Sequence, residues 1–122
     1  MTFTEFAEKH SGILKFDAIQ SYIDKDGRRF YCVRINGKSF DYNQGSGIKH
    51  EPRPDDVLCC LAGDIRSLEN SSSFEDWAAD FGYDSDSRKA FGIYESIKHE
   101  NTRLVEALGE DLVRELLNCE EE

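Results

Sequence analysis

No apolar run in this chain approaches the ~20 residues that a membrane helix needs. Its first residues, Met1-Thr2-Phe3-Thr4-Glu5-Phe6, lack the basic start and apolar stretch of a secretory leader. The expectation is a protein that stays in the cytoplasm where it is made and has no membrane partner. Four cysteines, Cys32, Cys59, Cys60 and Cys119, show no disulfide-framework spacing. Adjacent Cys59 and Cys60 would strain the peptide between them if bridged, so reduced thiols filling core space are expected. Cys-x-x-Cys and His-x-x-x-His are both missing, which leaves no written pattern for four tetrahedral zinc ligands. Only His50 with Cys59 or Cys60 remains conceivable as a ligand pair after folding. No Gly-x-Ser-x-Gly occurs, and Gly45-Ser46-Gly47 lacks the helix and Lys-Ser/Thr of a phosphate loop. Asp24-Lys25-Asp26-Gly27 begins like a calcium loop but supplies no later ligands. These absences predict no catalytic centre, no metal and no cofactor.

What is present is one domain's worth of chain, 122 residues, with 39% apolar and 33% charged side chains. Eight Phe, five Tyr and one Trp supply bulk enough for a core, so the chain is expected to fold as a single domain over 1–122. Charge is unevenly divided. Residues 1–54 carry nine Lys/Arg against seven Asp/Glu, net +2, whereas residues 55–122 carry six against eighteen, net −12; together they give the −10 of the whole chain. Such a field repels nucleic acid and attracts basic surfaces.

Periodicity changes along the chain. Thr2 to His10 reads as a short helix capped by Thr2 or Thr4. Alternating apolar residues from Leu14 to Ile23, the turn at Asp24–Gly27, the strand-like run Arg28–Ile35 and the Asn36-Gly37 hairpin signal predict three antiparallel strands, ending near Tyr42. Residues 43–54 read as a loop. Helical spacing follows: Val57, Leu58, Leu61, Ile65 and Leu68 in a first helix from Pro54, then Phe74, Trp77, Ala78 and Phe81 after a Ser73 cap. A long helix over 86–108 is expected, capped by Asp84 or Ser85, with Ala90, Phe91, Tyr94, Ile97, Asn101, Leu104, Val105 and Leu108 on its buried stripe. Gly109 ends it, and Leu112, Val113, Leu116 and Leu117 mark a final helix before the tail Cys119-Glu120-Glu121-Glu122. Strands first and helices later predict an α+β fold, a β-meander packed by C-terminal helices.

The stretch Asp56-Val57-Leu58, Ser73-Phe74-Glu75-Asp76-Trp77, Asp80-Phe81-Gly82-Tyr83-Asp84-Ser85-Asp86-Ser87-Arg88-Lys89-Ala90 and Tyr94, with Gly45-Ser46-Gly47 before it, resembles a family of small proteins encoded by phages and prophages, mostly without assigned function. The resemblance is best over 40–95. In size and charge the chain is also similar to anti-CRISPR and antirestriction proteins, some of which mimic DNA. That likeness implies an inhibitor of a host nucleic-acid-handling defence complex.

Physics alone reads Phe74, Trp77 and Phe81 as an aromatic face packing under the sheet. Arg88 and Lys89 fall in a first helical turn, where the dipole disfavours cations, and are expected to lean on Asp80, Asp84 or Asp86. Recurrent carboxylates allow two accounts. They favour helix N-termini and solubility; on adjacent helices they also match phosphate spacing and suit a Lys/Arg-lined groove. The partner-binding set on the second account is Glu75, Asp76, Asp80, Asp84, Asp86 and Glu95, facing the basic surface of a nucleic-acid-binding complex. An alternative places nucleic acid on the hairpins, where Tyr22 and Phe30 lie among Lys25, Arg28, Arg29, Arg34 and Lys38, a pattern that can stack bases. The overall negative field opposes it.

Overall fold

The computed structural model describes residues 1–121; Glu122, the last residue of the acidic tail, lies outside the described residues. The order is α1 (Phe3–Lys9), β1 (Phe16–Ile23), β2 (Arg29–Ile35), β3 (Lys38–Gln44), α2 (Pro54–Glu69), α3 (Phe74–Asp80), α4 (Arg88–Leu108) and α5 (Glu110–Leu117). The strands form one antiparallel sheet in the order β1-β2-β3. This is the α+β meander with later helices that the periodicity predicts.

Local chemistry explains the boundaries. Thr2 caps α1 in a reciprocal box with Glu5: the Thr2 hydroxyl accepts from Glu5 N at 3.1 Å, and Thr2 N donates to the Glu5 carboxylate at 3.3 Å. In the first hairpin the Asp24 carboxylate accepts from the amides of Asp26 and Arg28 at 3.0 and 2.9 Å. In the second, Asn36 and Gly37 both take positive φ, 49° and 83°, as the tight primed turn requires. The strand β3 runs to Gln44, two residues past the expected end near Tyr42. Gln44 pairs with Arg29 across the ladder, and its buried side chain donates to the His50 carbonyl at 2.8 Å.

The inner face of the sheet carries Tyr31, Val33, Ile35 and Phe40. It meets Phe3 and Phe6 of α1, the predicted Val57–Leu61–Ile65 stripe of α2, Leu104 of α4, and Val113 and Leu116 of α5. Each such side chain contributes about 1.5–3 kcal/mol by leaving water. Arg66 secures the end of α5: it lies 5.8 Å over the Phe3 ring and donates to the carbonyls of Leu117, the last residue of that helix, and of Cys119 just after it.

Four expectations are corrected. The aromatic face does not pack under the sheet. Trp77 and Ala78 instead build a second cluster with Ala90 and Ile97 of α4, joined by Leu68, Phe74, Ile93 and Tyr94. The Trp77 indole N–H donates to the Ser67 hydroxyl at 3.2 Å, which fixes α3 to the end of α2. Phe81 and Phe91, assigned to buried stripes, are 56% and 50% exposed; Phe81 already stands past the end of α3, while Trp77 of that helix is the aromatic that is buried. The cap of α4 is Ser87, whose hydroxyl accepts from Ala90 N at 3.2 Å, rather than Asp84 or Ser85. Of the four free thiols only Cys119 is buried; Cys60 is exposed because it falls off the buried stripe of α2.

Candidate functional site

The corner between α3 and α4 is a tightly specified turn. Ser73 caps α3 by accepting from Asp76 N at 3.2 Å, and the Ser72 hydroxyl binds the Asp76 carboxylate. At the other end Gly82 takes φ 76°, while Gly82 N and Tyr83 N donate to the carbonyls of Ala79 and Ala78 at 3.2 and 2.8 Å. That pairing of last-turn carbonyls needs a left-handed residue, and glycine adopts it without steric cost. Glu75, Asp76, Asp80, Asp84 and Asp86 all lie exposed on this corner, with no Lys or Arg between positions 75 and 86. Except for Asp76, none of the five makes a side-chain hydrogen bond or ion pair among the described residues.

Glu95 stands apart. It lies on α4, half-buried, 3.7 Å from Lys98, whose ammonium also sits 5.4 Å over the Tyr94 ring. The expected compensation of Arg88 and Lys89 by Asp80, Asp84 or Asp86 is absent: no ion pair joins them. All five groups are exposed, where a pair gains little over the side-chain entropy of holding it. Under the carboxylates runs a chain of aromatic contacts, Phe91–Phe74–Trp77–Phe81, with ring centroids 5.2, 6.3 and 5.1 Å apart. Tyr83 and Tyr94 add contacts to Trp77 at 5.9 and 5.4 Å.

A second feature lies along α4. A cavity of about 820 Å³ separates it from β3 and α2, lined among others by Asp41, Asp64, Lys89, His99, Glu100 and Arg103. The carboxyls of Asp64 on α2 and Glu100 on α4 are neighbours, so a proton held between them relieves the repulsion of two charges. Burial, then the Asp64 charge, pushes Glu100 up to about 8. Burial also raises Asp64, against the opposing hydrogen bond from Glu100. Although Cys60 is exposed as a residue, its thiol loses hydration beside this pair and rises to about 11. In its protonated form the pair can link α2 to α4. Sequence reasoning missed it, yet helical period puts Glu100 within about 60° of both Ile97 and Leu104 on the buried stripe.

The alternative set divides. Tyr22 and Phe30 pair across β1 and β2 on the outer sheet face, their rings stacked at 4.5 Å and 13°. Arg34 shares that face, while Lys25 and Arg28 belong to the adjoining turn. Lys38 sits at the far end of the ladder, roughly 20 Å away by strand rise, and is paired with Glu106 of α4 at 3.0 Å. Arg29 alternates with Phe30 onto the inner side and is half-buried. Asp17 opposite Arg34 and Asp41 opposite Cys32 place negative charge among these groups.

Among the described residues no group of three His, Cys, Asp or Glu is placed to hold a metal ion. The His50 ring faces the Glu51 carbonyl at 2.9 Å. Comparison with family models, with curated proteins and with solved structures gives no match to this chain.

Proposed function

We propose that this chain is a binding protein without chemistry of its own, a phage-type inhibitor that docks its acidic corner on the basic surface of a host nucleic-acid-handling defence complex. One observation carries the reading. Glu75, Asp80, Asp84 and Asp86 crowd one corner, exposed, with no cation paired to them among the described residues. Charges left unpaired in the free protein can pair with Lys and Arg of a partner, which speeds encounter and fixes orientation. The capped turn and the Trp77 anchor hold them on a rigid mount. Occupancy of a cationic groove is the whole action, as the likeness in size and charge to antirestriction and anti-CRISPR proteins implies. Among the described residues no helix is long and apolar enough to cross a membrane, so the docking reading needs no bilayer.

The double variant Asp80→Lys, Asp84→Lys tests the proposal. Both positions are exposed, so the circular dichroism spectrum is expected to stay native. Capture of a bacterial partner should be lost in the variant, weaken steeply with salt in the parent, and be competed by duplex DNA. Equal capture by both proteins, or indifference to DNA, refutes acidic docking at this corner. The Tyr22–Phe30 stack favours a second reading, a nucleic-acid-binding accessory protein. That reading requires a labelled single strand to gain anisotropy with the parent and not with Tyr22→Ala.

A further inference from the structure

The acidic corner is not only charged. Beside it, between the start of α4 and the Phe74 ring, opens a pocket of about 330 Å³ lined by Phe74, Ser85, Asp86, Ser87, Arg88 and Phe91. Its walls are the edge-to-face pair Phe74–Phe91 on one side and the polar cap segment on the other. Phe91 is 50% exposed at its mouth, where a long helix ordinarily shows a polar side chain. The floor is firm. Phe74 rests on Trp77 and Tyr94, and Trp77 is 2% exposed at the centre of the second cluster. An apolar recess with rigid aromatic walls is what interface anchors fill, and anchors carry most of the energy of a protein interface.

Resting on the docking reading above, we propose that this pocket takes one apolar side chain from a basic protein segment, with Lys or Arg of that segment on either side of the anchor. The occupant follows from charge. Asp86 lines the pocket itself, and Glu75, Asp80 and Asp84 stand on the same corner, so an incoming segment meets negative charge around an apolar hole. Arg88 at the rim repels a cation placed there, which leaves the recess to an uncharged anchor and the carboxylates to the flanks. Duplex DNA offers no such anchor on its backbone, so the proposal separates recognition of a protein segment from plain phosphate mimicry. A second copy of this chain brings the same negative corner and is disfavoured at this face.

Synthetic peptides are the probe: Arg-Lys-Arg-Phe-Arg-Lys-Arg, and the same peptide with Ala at its centre. Both are titrated into isotope-labelled protein by nuclear magnetic resonance. The Phe peptide is expected to bind about tenfold more tightly than the Ala peptide, since one buried aromatic side chain is worth at least that factor. Its shifts should centre on Phe74, Asp86 and Phe91, and Phe91→Ala should erase the difference between the peptides. Because Phe91 is half exposed, that variant should keep a native spectrum; Ser85→Trp, which fills the recess from the loop, is the independent second variant and should act alike. Equal affinities for the two peptides overturn the pocket while leaving acidic docking standing. No binding by either peptide, or shifts confined to the outer sheet face, removes both. Shifts that change on diluting the protein alone assign the pocket to a second copy and overturn the proposal.

Discussion

Glu100 keeps its proton near neutral pH because the alternative is two carboxylates facing each other in a half-buried cleft. The groups around it bias the pair from every side. Asp64 comes from α2 and Asp41 from β3, both adding negative charge, and Arg103 of α4 opposes them; the neighbouring Cys60 thiol, raised to about 11, stays neutral. His99 and Lys89 are further titratable groups of the lining. The consequence for stability has a definite sign. The folded value, about 8, lies above the ordinary 4.5, so folding favours the protonated form. Its contribution is full below about pH 4.5 and is lost as pH rises toward 8. Glu100→Gln keeps a donor for Asp64 and removes the titration. By about pH 8.5 the variant is expected to exceed the parent by ~1 kcal/mol, a figure discounted because the pair is open to cleft water. Near pH 5 the two should agree. Urea midpoints at the two pH values check this, and a pH-independent difference refutes the shared proton.

At the scale of elements, turn chemistry was the most legible part of the chain. Asn36-Gly37 fixed a hairpin because only residues tolerant of positive φ fit there. Less visible is how far Asn36 reaches. Its side chain accepts from Lys15 N at 2.7 Å and donates to the Ala107 carbonyl at 3.1 Å, tying β1 and the end of α4 to the same turn. Asn36→Ala is expected to cost ~2–3 kcal/mol, from φ strain and two lost hydrogen bonds. Asn36→Gly, free of the strain, should lose about half as much; chemical denaturation of both variants separates the two effects. Helix boundaries were harder. The α4 start was read two or three residues early because Asp84, Ser85 and Ser87 are all competent caps, and only the path of the loop after Gly82 selects Ser87.

Taken as a molecule, the chain has two apolar clusters of unequal size. The sheet-based one joins the inner face of β2 and β3 to four helices, whereas the Trp77 cluster draws on α3, α4 and the end of α2. Stability of opening follows apolar burial, so amides of α3 are expected to exchange from a lower-energy opening than those flanking Leu104. Native-state hydrogen exchange reads this directly. Equal protection at Trp77 and Leu104 would mean that the clusters open as one unit. The charge asymmetry belongs to this scale as well. Negative residues after Pro54 do not make one face: Asp64 and Glu100 neighbour each other in the cleft, Asp55 binds the Thr4 hydroxyl at 3.4 Å, and the acidic side chains of the α3–α4 corner stand exposed, all but Asp76 unpaired among the described residues.

Period, turn residues and charge counts determined the α+β class, the three-stranded meander, the buried stripe of α2 and the acidity of the second half, because each depends on neighbours a few positions apart. Which aromatics are covered, which carboxylates stand free, and that Asp64 meets Glu100 were decided only by tertiary structure. Those outcomes depend on which helix faces meet, and residues separated by some 36 positions carry no local signal of their meeting.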